Sequence, residues 1–130
     1  MAIETTGIAH IGLRVTDTER AVAFYKDVLG FEVVREMPGR TAMNAYGTMV
    51  AVIGADDETP EGDSFNPFRV GLDHIALGVG NDALEGLATM LDEAGARNNG
   101  VQTDEMTGVM FISVYDPDGI AWEFFGSRPE

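Results

Sequence analysis

The sequence predicts an α+β fold in which one βαβββ module occurs twice. The strongest observation is a repeat: residues 7–15 (GIAHIGLRV) match residues 71–79 (GLDHIALGV), and the two histidines lie 64 residues apart. Both segments alternate apolar with other residues after the histidine, as half-buried strands do. In addition, apolar residues at helical spacing follow each segment and end at a glycine, and each half carries a turn sequence near its end.

The first module continues after its first strand with a helix. This helix is expected to begin in the capping box of residues 16–19, where Glu19 would reach back to the cap. Gly30 is placed to stop it, because glycine tolerates the left-handed conformation that ends many helices. The strands that follow are predicted over residues 31–35, 41–46 and 48–53, with a turn at 44–47.

The second module repeats this order. Its helix opens at residues 82–85, carries Leu84, Leu87 and Leu91 at helical spacing, and closes at Gly95. Strands are predicted over residues 100–103, 109–115 and 120–125, and the sequence Asp-Pro-Asp-Gly at 116–119 joins the last two as a tight hairpin. Residues 55–68 are rich in Asp, Glu, Gly and Pro and indicate a linker. One domain, 1–130, would therefore contain modules 1–54 and 69–130.

Composition excludes several classes of function. The chain has 8 Lys and Arg against 22 Asp and Glu, and a net charge of −14, which opposes binding to nucleic acid or to anionic lipid. It has no cysteine, so disulfides, thiolate nucleophiles and cysteine-based metal sites are excluded. No apolar run approaches the length of a membrane span and no signal peptide is evident, so we expect a soluble, cytoplasmic protein.

The only two histidines, His10 and His74, occupy equivalent places in the repeat. A lone histidine on a strand is more often a packed or hydrogen-bonded residue. Two histidines at equivalent positions of a repeat instead favour a site in which both bind the same ligand. Glu123 lies in the apolar strand segment 120–125, where a carboxylate is costly unless it is paired or bound to metal. Two imidazoles and one carboxylate form the set that holds a divalent metal and leaves positions open. The alternative is that Glu123 pairs with an arginine such as Arg14.

These motifs resemble those of the vicinal oxygen chelate superfamily. The resemblance rests on His10, residues 23–31 (AFYKDVLGF), His74 and residues 116–123 (DPDGIAWE), and it covers nearly the whole chain. It implies two modules that form a cup-shaped mixed sheet of the glyoxalase/bleomycin-resistance type, usually within a homodimer, with a metal at the centre. The family ligands carry over to His10, His74 and Glu123.

Departures from individual family members narrow the choice of reaction. The repeat places Ala51 opposite Glu123, whereas glyoxalase I has a Glu there and methylmalonyl-CoA epimerase a Gln. Three ligands resemble the plan of extradiol dioxygenases, but these have a Tyr where this chain has Ser113, and a further His. Strand alternation puts Arg14 on the face of His10, and Ser113 and Tyr115 on one common face. Arg14 could hold a substrate oxygen, and Tyr115 could donate a proton.

We therefore expect a mononuclear metalloenzyme acting on a small aromatic or polyketide-like molecule with two adjacent oxygens. An Fe(II) dioxygenase reaction is the first hypothesis, because this ligand set recurs at such sites. Mn(II), Ni(II), Co(II) or Zn(II) with a glyoxalase-type lyase or isomerase reaction is an alternative. The rival from another class is a metal-free protein that sequesters a cationic antibiotic, as the bleomycin-resistance members do. The strongly negative charge favours that rival.

Overall fold

The computed structural model describes residues 2–128, and it divides into two compact units, Met1–Asp63 and Ser64–Glu130. The first unit contains β1 (His10–Val15), α1 (Thr18–Asp27), β2 (Glu32–Met37), β3 (Arg40–Ala45) and β4 (Thr48–Gly54). The second contains β5 (Ile75–Gly78), a short 3₁₀ helix (Asn81–Ala83), α2 (Leu84–Glu93), β6 (Asn98–Thr103), β7 (Met110–Tyr115) and β8 (Ala121–Phe125). The predicted order of elements is confirmed.

Each unit forms one four-stranded mixed sheet, ordered β1-β4-β3-β2 in the first and β5-β8-β7-β6 in the second. The first and last strands of each module pair in parallel, and the remaining pairs are antiparallel. The register repeats as well: Gly12 pairs with Ala51 in the first unit and Ala76 with Glu123 in the second. Ala51 is therefore the structural equivalent of Glu123, as the sequence repeat predicts.

A helix covers one face of each sheet and encloses a small core. In the second unit Leu84 and Leu91 of α2 are buried, together with Ile112, Val114 and Trp122 from the sheet. Because side chains alternate along a strand, Trp122 belongs to the core face and Glu123 to the opposite face, which we call the site face. The first unit is built in the same way around residues of α1, β1 and β4.

The start of α1 differs from the prediction. The cap is Asp17, whose carboxylate accepts a hydrogen bond from the Arg20 backbone N–H at 3.2 Å. Thr16 instead accepts a hydrogen bond from the Arg20 guanidinium at 2.9 Å. Both residue types suit a cap, and Asp17 takes this role one residue later than predicted. Gly30 ends the helix region with a positive φ of 75°, as expected.

Several strand ends also differ from the predicted ones. The strands β1 and β5 begin at or directly after the histidines of the repeat, as the alternation predicts, and Gly7 and Gly71 precede them with φ values of 106° and 148°, outside the strand region. The strand β6 begins earlier than predicted, at Asn98, because its pairing with β7 continues past a bulge of one extra residue before Val101. No helix within residues 2–128 is both long and apolar enough to cross a lipid bilayer.

Candidate functional site

The parallel pairing of β5 with β8 brings His74 against Glu123. Ala76 pairs with Glu123, and His74 lies two residues earlier, immediately before β5 begins. The His74 Nε2 atom is 3.3 Å from Glu123 Oε1. Two residues that are far apart in the sequence therefore contact each other through the topology of a single module.

Glu123 is largely withdrawn from solvent, with only 14% of its side chain exposed. Burial is the main reason that the pKa of Glu123 is raised above its usual value, and the carboxylates of Asp73 and Asp104 raise it further. His74 and a hydrogen bond with Ser113 act in the opposite direction. The site face thus holds a carboxylate whose negative charge is only partly compensated, and a cation bound beside it would relieve that cost.

His74 has a second carboxylate at its other nitrogen. Its Nδ1 atom lies 2.7 Å from Asp73 Oδ1, while the imidazole stays 40% exposed. When Nδ1–H donates a hydrogen bond to Asp73, the Nε2 lone pair faces the carboxylate of Glu123, and a proton or a metal ion between them would satisfy both. An outer carboxylate that fixes the tautomer of a histidine is the usual support for a metal-ligating imidazole.

The first unit has a histidine but no carboxylate at the equivalent positions. His10 begins β1, where it pairs with Met49 of β4, and its side chain is exposed. Ala51 stands at the position that Glu123 has in the second unit and offers no ligand atom. The first unit therefore contributes one imidazole but no carboxylate at these repeat positions.

Arg14 is held within the first unit. Its guanidinium donates a hydrogen bond to the carbonyl oxygen of Gly54 at 2.7 Å and forms an ion pair of 3.5 Å with Asp56, while half of the side chain remains exposed. An exposed ion pair of this length is weak. The Arg14 guanidinium is therefore fixed mainly by the Gly54 carbonyl.

Ser113 and Tyr115 lie on the site face of β7. Ser113 pairs with Glu123 across the hairpin and hydrogen-bonds its carboxylate, and it is only 8% exposed. The Tyr115 hydroxyl accepts a hydrogen bond from Asn99 at 2.9 Å, and the Arg97 guanidinium lies 4.1 Å from the centre of its ring.

The sequence predicted no role for Arg97 and Asn99, since no spacing links them to Tyr115. The contact of Asp73 with His74 was not predicted either, although the two residues are adjacent in the sequence.

An aromatic pair completes the site face. Phe111 and Phe125 are directly paired across β7 and β8, and their rings stack with centroids 6.0 Å apart. Within residues 2–128, no group of three or more His, Cys, Asp or Glu side chains is arranged to hold one metal ion. The convergence of His10, His74 and Glu123 on a single ion stays a prediction.

Comparison with known proteins identifies relatives along nearly the whole chain. Residues 7–124 match the family model of the Glyoxalase/Bleomycin resistance protein/Dioxygenase superfamily. The uncharacterized protein YwkD of Bacillus subtilis is 32% identical over 124 residues, which are 91% of this chain and 94% of that protein. A lactoylglutathione lyase of Haemophilus influenzae is 29% identical over 134 residues, covering 93% of each chain.

A solved structure shares the fold. A mutant of the fosfomycin resistance protein FosX from Listeria monocytogenes superimposes with a TM-score of 0.73 at 17% identity, and the match covers 95% of this chain and 93% of that one. That crystal structure is complexed with Mn(II) and 1S,2S-dihydroxypropylphosphonic acid. At this identity the likeness demonstrates a common fold.

The raised pKa of Glu123 leads to a prediction about stability. A carboxyl group whose pKa is higher in the folded than in the unfolded state costs stability wherever it must be charged. The free energy of unfolding of the metal-free protein should therefore fall as pH rises from about 4.5, the ordinary value, through the raised value. We expect Glu123→Gln to reduce this fall and to be more stable than the parent at pH 8.

Urea unfolding in the presence of a chelator, repeated from pH 4 to 8, measures the effect. Glu85→Gln is the matched control, because Glu85 is exposed on α2. If the Glu123→Gln and Glu85→Gln proteins follow the same pH dependence as the parent, burial imposes no cost on the charged carboxylate.

Proposed function

Because the chain belongs to the glyoxalase/bleomycin resistance protein/dioxygenase superfamily, we propose that it is a mononuclear divalent-metal enzyme acting on a small molecule with two vicinal oxygens. The observation that carries the proposal is the contact between His74 Nε2 and Glu123 Oε1, with Asp73 at the other imidazole nitrogen. An imidazole that is oriented by an outer carboxylate and faces a second one matches the way metal-ligating histidines are supported.

The proposed ligands are His10, His74 and Glu123. Two neutral imidazoles and one carboxylate suit first-row divalent ions, and Fe(II) is the first candidate, followed by Mn(II), Ni(II), Co(II) and Zn(II). A bound ion would polarise two adjacent substrate oxygens and hold them side by side. Alanine at position 51, the equivalent of Glu123, keeps the ligand count at three, so positions on the ion stay open for substrate.

The other residues of the site face would bind and orient the substrate. Ser113 holds the carboxylate of Glu123 through its hydroxyl. The stacked rings of Phe111 and Phe125 would pack against an aromatic or polyketide-like skeleton. Tyr115 would donate a proton from its hydroxyl. Arg14 keeps half of its side chain exposed and would exchange its weak contact with Asp56 for a substrate oxygen.

Two reactions are compatible with this arrangement. The three-ligand plan favours an Fe(II) dioxygenase-type reaction, because substrate and dioxygen both need open positions. A lyase or isomerase reaction is the second candidate, and the similarity to a lactoylglutathione lyase over 93% of the chain favours it. The alanine at position 51 counts against the second candidate, since glyoxalase I places a ligand there.

A homodimer belongs to the proposal. Phe68, Val70 and Leu72 alternate along the segment before β5, and their side chains are exposed in a single chain. Large exposed apolar side chains that are neighbours in the sequence favour an interface with another protein chain. Sedimentation equilibrium should give twice the chain mass of 14.0 kDa, and Phe68→Asp with Val70→Asp should shift the equilibrium towards monomer. A monomeric parent protein at micromolar concentration would contradict the proposal.

Metal affinity tests the proposed ligands. His10→Ala, His74→Ala and Glu123→Gln should each weaken Mn(II) binding more strongly than Asp73→Ala, which should cost about 10- to 100-fold through loss of support for His74. Equilibrium dialysis of the metal-stripped protein measures the affinities, with Glu85→Gln as the exposed control. Unchanged affinity in all ligand variants would refute the metal site and favour the protein that sequesters a cationic antibiotic.

The Ala51→Glu variant separates the two reactions. The new carboxylate would be a fourth ligand and should suppress oxygen uptake by the Fe(II) protein with catechol, because it fills a position that the reaction needs. The same variant should gain activity on lactoylglutathione with Ni(II) or Zn(II). Ala51→Leu controls for bulk without a ligand atom. Oxygen uptake unaffected by Ala51→Glu in a folded, metal-loaded protein would show that position 51 does not face the ion.

A further inference from the structure

Three side chains near one end of β7 form a polar cluster in the second unit. The Arg97 guanidinium carbon lies 4.1 Å from the centre of the Tyr115 ring, and Asn99 donates a hydrogen bond of 2.9 Å to the Tyr115 hydroxyl. The backbone N–H of Tyr115 also donates to the carbonyl oxygen of Arg97 at 3.0 Å. Contacts within the cluster therefore fix the relative positions of its polar groups.

The cluster presents several hydrogen-bond donors at the protein surface. The Arg97 guanidinium lies over the ring of Tyr115, and its five N–H groups form a planar fork of donors. Arg97 is exposed and Tyr115 is partly exposed. Asn99 donates a hydrogen bond to the Tyr115 oxygen, so the Tyr115 O–H can donate to another acceptor. A guanidinium fork beside a hydroxyl donor matches the two oxygens of a carboxylate.

The strand register places this cluster beside the proposed metal ligands. Tyr115 pairs with Ala121, and Ser113, one step along the same face, pairs with Glu123. Tyr115 and Glu123 are therefore diagonal neighbours, and such neighbours have Cα atoms about 7–8 Å apart. Ala121 and Ser113, the other two residues of this square on the site face, have small side chains. A substituent of a small molecule bound at Glu123 would extend across them towards the cluster.

Arg97 is one of few cationic side chains in a strongly acidic protein. The second unit contains three arginines, Arg69, Arg97 and Arg128, and no lysine, in a protein of net charge −14. An anionic ligand is repelled by most of such a surface, so a fixed guanidinium decides where it can bind. We infer that the substrate carries a carboxylate, held by Arg97 and Tyr115 beside its two vicinal oxygens. The inference rests on the proposed function for the place of the vicinal oxygens.

A pair of matched probes tests the inference. Catechol and 3,4-dihydroxybenzoate offer the same vicinal oxygens, and only the second carries a carboxylate. Isothermal titration of the Mn(II)-loaded protein should show at least about tenfold tighter binding of 3,4-dihydroxybenzoate, the size expected for a hydrogen bond to a charged group. Arg97→Gln should abolish this preference and Tyr115→Phe should reduce it, whereas Arg69→Gln should leave it intact.

Equal affinity for both probes in the parent protein would overturn the inference. The same conclusion follows if the preference survives in Arg97→Gln or is lost in Arg14→Gln instead. Arg97→Lys is a conservative second variant that retains the positive charge without the planar fork. A change of preference in this variant can be assigned to the fork when the protein remains folded. We expect it to keep only part of the preference in a protein with the melting temperature of the parent.

A metal-free titration separates this inference from the proposed function. Benzoate should shift the backbone amide resonances of Arg97, Asn99 and Tyr115 in the chelator-treated parent and in Arg69→Gln, but not in Arg97→Gln. If benzoate produces these shifts while the protein binds no metal, the carboxylate site stands and the metalloenzyme proposal falls. If metal and catechol bind but benzoate shifts none of these resonances, the carboxylate site falls and the metalloenzyme proposal stands.

Discussion

The parallel pairing between the first and last strands of each module is the contact on which the site depends. In the second unit this pairing carries His74 to within 3.3 Å of Glu123 along a chain path of 49 residues. The helix and the two hairpins between them supply the core that holds the strands in register. A shift of one residue in β8 would turn Glu123 to the core face and Trp122 to the site face. Burying a bulky indole on one face thus fixes the carboxylate on the other.

The same scaffold carries different chemistry in its two copies. The histidine is present in both modules, but the position opposite Gly12 holds Ala51, and the position opposite Ala76 holds Glu123. Ala42 and Ser113, which pair with these residues on the next strand, differ in the same way. The second unit therefore combines a carboxylate with a hydroxyl that hydrogen-bonds it, while the first keeps small apolar side chains there. The two modules share the strand register and differ in the side chains that the register places at these positions.

Electrostatics connect the stability of the chain to its proposed activity. Glu123 is withdrawn from water near two other carboxylates, so its charge is costly in the metal-free protein. The positive groups nearby are few, and Arg97 is tied to the ring of Tyr115 rather than to this carboxylate. A site that is unfavourable when empty gains more from a bound cation than a fully neutralised one would. The negative charge that opposes anions elsewhere on the surface also makes a single placed guanidinium effective for selecting a substrate.

The sequence by itself determined the order of elements, the two-module repeat and the equivalence of Ala51 with Glu123. These follow from local patterns, since strand alternation, helical spacing and turn residues act over a few neighbouring positions. The sequence predicted that His74 and Glu123 belong to one site, but the distance between them depends on the register of two strands far apart in the chain. The roles of Asp73, Arg97 and Asn99 were decided only by the tertiary structure. Their partners are fixed by side-chain directions and by the irregular pairing of β6 with β7, which no local sequence pattern specifies.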